Sequence, residues 1–99
     1  MINVCVDKND GKLTLTADGH AGFGQMGEDI VCAAVSMLSL SVLYALEGVE
    51  GIQLESDVRK GRLWLTCTDT ITTRNMMAVA EAGFQQLAEQ YPKNVHFFE

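Results

Sequence analysis

DIVCAAVSMLSLSVLYALE, residues 29–47, is the stretch that decides the fold. Its apolar residues recur at helical spacing and cover most of the helix surface, which predicts a central, buried helix that ends at Gly48. Four residues that carry oxygen or sulfur follow one another at intervals of three, four and three, so they share one face of this helix: Asp29, Cys32, Ser36 and Ser39. A narrow polar stripe on an apolar helix needs either hydrogen-bond partners or a function.

Outward from the helix, alternating apolar residues predict paired strands on both sides. Strands at 2–6 and 13–17 flank a turn at 7–11, and a loop at 18–27 with four glycines is predicted to be mobile. Strands at 52–58 and 62–68 flank a turn at 59–61, and a second helix runs from N-cap threonines at 70–73 to about Tyr91. A strand at 95–98 follows Pro92. The order β-β-α-β-β-α-β predicts an α+β fold, with a mixed sheet packed with two helices in a two-layer or sandwich arrangement.

The composition indicates one small globular domain, residues 1–99, and excludes several functions. A net charge of −6 argues against nucleic-acid binding. The N-terminus does not read as a signal peptide, and the apolar stretch at 30–46 reads as too short and polar for a membrane span, so a cytoplasmic location without membrane contact is expected. Three scattered cysteines, at 5, 32 and 67, predict free thiols in a reducing compartment rather than a disulfide framework.

Cys32 and His20 are the candidate reactive pair. Cys32 lies in the first turn of the predicted helix, where backbone N–H groups and the helix dipole stabilise a thiolate and could hold an oxyanion. His20, in the glycine-rich loop, can return across the helix start and supply the base. The structural alternatives remain open from these residues alone: Cys32 fills core space, His20 is a surface residue, and Asp29 and Ser36 only cap the helix or bond to its backbone.

Other candidate sites carry less weight. Residues 22–27 match G-x-G-x-x-G, but four residues separate them from the strand, and Glu28 and Asp29 would repel a pyrophosphate at the helix start. No cysteine or histidine pair has metal-ligand spacing, so neither a metal nor a cofactor is expected. Cys5 and Cys67 read as packing residues and His96 as a structural one. A redox-sensing thiol at Cys32 would lack a nearby resolving cysteine.

The sequence resembles the ribosomal-processing cysteine protease (Prp) family in two runs, Gly19-His20-Ala21-Gly22-Phe23 and Gly27-Glu28-Asp29-Ile30-Val31-Cys32-Ala33-Ala34-Val35-Ser36. The resemblance implies a cysteine endopeptidase with Cys32 as nucleophile and His20 as base. It assigns Asp29, Ser36, Gly19, Gly22 and Gly27 to supporting or substrate-binding positions.

The same resemblance implies a substrate and a partner. Members remove the N-terminal extension of large-subunit ribosomal protein number twenty-seven after a segment rich in leucine and phenylalanine, and they are often homodimers. The four glycines then suggest a loop that becomes ordered when the peptide binds and brings His20 to the thiol. The alternative is a non-catalytic, ribosome-associated binding module of the same fold.

Overall fold

The computed structural model describes residues 1–22, 24 and 29–98. The elements in chain order are β1 Ile2–Asn9, β2 Lys12–Gly19, α1 Ile30–Glu47, β3 Leu54–Arg59, β4 Arg62–Thr68, α2 Ile71–Gln90 and β5 Val95–Phe98. This order confirms the predicted β-β-α-β-β-α-β arrangement and the α+β class.

The five strands form one mixed sheet in the order β3-β4-β2-β1-β5. β5 pairs with β1 in parallel, whereas the other neighbours are antiparallel. Because side chains alternate between the faces of a sheet, the residues paired directly across the central strands share the core face, and Val6, Leu15 and Leu65 are all buried there. Both helices contribute to the core on that face. Half-buried Trp64 lies on the other face, opposite Thr16, so the fold has two layers.

The first hairpin is longer than predicted, since its turn contains two residues rather than five. β1 continues to Asn9, and β2 begins at Lys12. Asp10 and Gly11 have φ values of +52° and +75°, the left-handed conformation at both central positions that a type I′ turn requires. The predicted loop also begins later, because Asp18 and Gly19 pair with β1 as the end of β2.

Both predicted helix starts are confirmed. Asp29 is the N-cap of α1, and Thr70 caps α2 through a reciprocal capping box with Thr73. The two helices pack closely where Gly83 of α2 meets Leu38, since a Cβ at Gly83 would lie 2.7 Å from Leu38 Cδ1. Gly83 therefore lets the two helices approach closely, and a larger residue there would require the Leu38 side chain to move.

The prediction that α1 is buried on most sides is wrong. One face packs into the core through the apolar residues Val31, Val35, Val42, Leu43 and Leu46. The opposite face is open to solvent, and Ile30, Met37 and Tyr44 are 59%, 67% and 63% exposed. These three residues are seven positions apart and form one apolar stripe. The helix is the outer layer of the domain and not its centre.

The expectation that residues 30–46 are too short and too polar for a membrane span is wrong for α1. It contains 18 residues with a mean hydropathy of 1.9, which meets the minimum length and composition of a spanning helix. A core helix of a soluble domain passes the same test. Here its buried face packs against the sheet.

Candidate active site

Asp29 fixes the start of α1 and therefore the position of Cys32. Its Oδ1 accepts hydrogen bonds from the backbone N–H groups of Val31 and Cys32, both at 3.0 Å. The carboxylate is nearly buried, and its φ of −77° and ψ of 103° are the extended values of an N-cap. Asp29 thus has the capping role that the sequence left open. The sequence suggested that N–H groups of the first turn could hold an oxyanion, but those of Val31 and Cys32 already donate to the Asp29 carboxylate.

The Cys32 sulfur is half-buried and accepts a hydrogen bond from the backbone N–H of Ala21, with N to Sγ at 3.2 Å. Ala21 follows His20 in the chain and is itself buried. A backbone N–H directed at sulfur stabilises negative charge there, because hydrogen bonding favours the charged form of the acceptor. The segment after β2 therefore brings a donor to the thiol as well as a histidine to its vicinity.

His20 is exposed and lies directly after β2, where its ring contacts the β3–β4 turn. A Cβ at Gly61 would lie 3.1 Å from His20 Nε2, so the imidazole packs against the glycine backbone. The Gly19 N–H also donates to the Gly61 carbonyl at 2.9 Å, and the Met1 nitrogen donates to the His20 carbonyl. No hydrogen bond joins His20 to Cys32, whose described donor is Ala21.

His20 and Cys32 line one groove of about 550 Å³ between the start of α1, the segment after β2 and the β3–β4 turn. The lining includes polar side chains from the helix start and the turn, and apolar side chains from strands and helix: Ala17, Val35, Leu40, Val58 and Leu63. A cleft of this size and lining is suited to one or two apolar side chains of an extended peptide. We name it the Cys32 groove.

The serines of the predicted polar stripe have different roles. Ser36 and Ser39 both line the Cys32 groove with Asp29 and Cys32, which confirms that the four share a face. Ser39 is buried, and its hydroxyl donates to the Val35 carbonyl at 2.8 Å, the bonding to the preceding turn that the sequence suggested. Ser36 is exposed and can contact a bound molecule.

The predicted glycines have separate positions. Gly19 has a φ of +107° and Gly22 a φ of +70°, both in the range that favours glycine. Gly19 and Gly22 line the Cys32 groove. Gly27 lies outside the described residues, as do 23, 25, 26 and 28. The predicted mobility of the loop therefore stays a prediction.

Sequence reasoning missed the third wall of the groove, the β3–β4 turn. Arg59, Lys60 and Arg62 line the groove there, and Arg62 pairs with Asp18 across the sheet at 3.4 Å. The pair is exposed, so it contributes little to stability. The turn itself was predicted, but its proximity to His20 follows from the register of β2 on β4, which no local signal shows.

The other two cysteines differ from Cys32 in their surroundings. Cys67 is 2% exposed, and this burial raises its pKa, with Asp69 adding to the rise and a hydrogen bond to Thr73 opposing it. Its thiol is therefore protonated near neutral pH, as the packing role predicts. Cys5 is half-buried in β1, opposite Phe98. In the described part of the chain, no cluster of metal-binding side chains occurs.

This chain is similar over almost its whole length to proteins of one known family. Residues 1–96 match the family model described as cysteine protease Prp. The ribosomal processing cysteine protease Prp of Staphylococcus aureus is 31% identical over 96% of this chain and 95% of its own length. Its namesake from Mycoplasma pneumoniae is 34% identical, with coverage of 84% and 83%. A crystal structure of the S. aureus protease with a covalently linked product peptide superposes with a TM-score of 0.87 at 25% identity, over all of both chains.

Proposed function

This chain belongs to the cysteine protease Prp family, and from that premise we propose that it hydrolyses peptide bonds with Cys32 as nucleophile and His20 as proton carrier. The observation that carries the proposal is that both side chains line one groove, with the Ala21 N–H directed at the sulfur. A thiol and an imidazole in one cleft form the minimal pair for covalent catalysis. The covalently linked product peptide of the S. aureus relative supports an enzyme-bound intermediate.

The proposed reaction has two steps. The Cys32 thiolate forms a bond to the scissile carbonyl carbon, the C–N bond breaks, and imidazolium at His20 gives its proton to the leaving amine. Water then attacks the thioester, neutral His20 takes a proton from it, and the C–S bond breaks to release the acid and restore the thiolate. Asp29 and Ser36 support these steps by fixing the helix start and by lining the groove.

The proposed substrate is the N-terminal extension of large-subunit ribosomal protein number twenty-seven. The names of the relatives support ribosomal processing, and the apolar lining of the Cys32 groove suits leucine and phenylalanine side chains.

We place the enzyme in the cytoplasm, where its three free thiols stay reduced. The exposed stripe of Ile30, Met37 and Tyr44 supports the expected homodimer, which sedimentation equilibrium would test.

Incubation of the purified protein with the precursor of that ribosomal protein tests the proposal. We expect a single cut after the segment rich in leucine and phenylalanine, read from the intact mass and the N-terminal sequence of the product. The mature ribosomal protein, which lacks the extension, serves as the control and should remain uncut. Binding of the precursor without any cut, by folded protein whose Cys32 is free to react, would favour the non-catalytic binding module.

A further inference from the structure

We infer that Asn94 is a positioning residue for the Cys32 thiol and acts through Ala21. The Asn94 Nδ2 donates a hydrogen bond to the Ala21 carbonyl at 2.8 Å, across 73 positions of sequence. The N–H of the same residue donates to the Cys32 sulfur at 3.2 Å. Asn94 therefore holds one end of the residue whose other end meets the sulfur.

Asn94 is itself held firmly enough to serve as an anchor. Its backbone N–H donates to the Tyr91 carbonyl at 2.9 Å, and its carbonyl accepts from the Ile2 N–H at 2.8 Å. It directly precedes β5, which pairs with the beginning of β1. The side-chain amide thus projects from a rigid junction of the sheet toward the segment that contains His20.

The other backbone N–H groups near the Cys32 sulfur already bond to Asp29, so the N–H of Ala21 is the donor that matters for the thiolate. The Val31 and Cys32 N–H groups bond to Asp29 Oδ1, and the Ala33 N–H bonds to the Asp29 carbonyl at 3.1 Å. The first turn of α1 therefore offers these groups to its own cap rather than to the thiolate. The Ala21 N–H remains directed at the sulfur, and its direction depends on what fixes the Ala21 backbone.

Loss of the Asn94 amide should reduce the reactivity of the thiol. A backbone N–H that is free to turn away no longer stabilises the thiolate, and one hydrogen bond to a charged group corresponds to about a tenfold change in rate. This role rests on the proposed assignment of Cys32 as the reactive thiol. It does not depend on the identity of the peptide substrate.

Alkylation by iodoacetamide at pH 7, followed at each cysteine by peptide mass mapping, tests the inference in the intact protein. Two variants are used: Asn94→Ala removes the side-chain amide, and the isosteric Asn94→Asp replaces the donor with an acceptor that repels the Ala21 carbonyl. We expect the Cys32 rate to fall about tenfold in both, since each loses one hydrogen bond to the segment that stabilises the thiolate. Asn75→Ala, at an exposed position of α2, is the control and should leave the rate unchanged.

The other cysteines separate positioning from general loosening of the fold. The Cys5 rate should stay at its wild-type value, and buried Cys67 should remain protected in Asn94→Asp. If Cys67 becomes reactive in Asn94→Ala, that variant has loosened the fold, and the alkylation rate of Cys32 in Asn94→Asp decides the inference. In Asn94→Asp, an alkylation rate of Cys32 within twofold of the wild-type rate would overturn the inference. A rise in the alkylation rates of Cys32 and Cys67 together would also overturn it.

Peptide cleavage provides a second reading. If the wild-type protein cleaves the precursor, both variants should lower kcat about tenfold and change KM less than twofold, because Asn94 acts on the thiol and not on the peptide. If the wild-type protein cleaves nothing, the proposed function fails, and the alkylation rates still decide the role of Asn94.

Discussion

Replacing His20 with glutamine should lower kcat for peptide cleavage by about a thousandfold, since a positioned acid–base group typically contributes between a hundred- and ten-thousandfold. Glutamine keeps a polar side chain of similar reach but cannot carry the proton to the leaving amine. His20 is exposed and contacts the glycine turn at Gly61, so its loss should cost little stability. The measurement is kcat on a peptide that spans the cleavage site, with thermal unfolding to confirm the fold.

His96 provides the matched control for this substitution. It is also exposed, but it lies in β5 beside Phe98, with ring centroids 4.0 Å apart, and does not line the Cys32 groove. His96→Gln should keep kcat within twofold of wild type. A His20→Gln enzyme with more than a tenth of wild-type kcat would remove His20 from the proposed dyad.

Replacing Gly19 with alanine should lower the free energy of unfolding by about 3 kcal/mol or more, because two costs add. Its φ of +107° is strained for any residue with a side chain, and the new Cβ would lie 2.3 Å from the Met1 carbonyl oxygen. A backbone atom cannot rotate away as a side chain can, so the end of β2 must shift. The measurement is urea unfolding, compared at the midpoint and slope.

Gly51 separates the two costs. It has a φ of +78°, but a Cβ there would meet nothing within 4 Å. Gly51→Ala should therefore lower the free energy of unfolding by only about 1 kcal/mol, the cost of the left-handed backbone. Equal losses in both variants would show that the contact with Met1 is not a tight one. Because Gly19 adjoins His20, its variant should also lose activity at temperatures where it remains folded.

The parts of the fold that local chemistry determines were predictable from the sequence. Asp29 and Thr70 offer oxygen atoms to N–H groups two or three residues away, so the helix starts could be found from the local sequence alone. Cys32 was placed in the first turn for the same reason. His20 and Cys32, which the motif brought together as candidates, both line one groove, and their catalytic pairing stays a prediction.

The parts that depend on distant contacts were not predictable. The exposed stripe of α1 was missed because an apolar pattern does not show which face meets the sheet. The β3–β4 turn joins the groove through the register of β2 on β4, which places Asp18 opposite Arg62, and Ala21 meets Asn94 only after β5 is added beside β1. Each of these contacts requires the assembled sheet, and single-residue patterns contain no information on its register.

The intact mass of the ribosomal precursor after incubation with Cys32→Ala is the most direct test of the proposed protease activity. Alanine is a good helix former and leaves the Asp29 cap in place, so the variant should fold and bind the precursor. We expect wild-type enzyme to trim the precursor fully and the variant to leave its mass unchanged, because Cys32 is the one thiol among the described residues that line the groove. A precursor trimmed at the same bond by Cys32→Ala would contradict the assignment of the nucleophile.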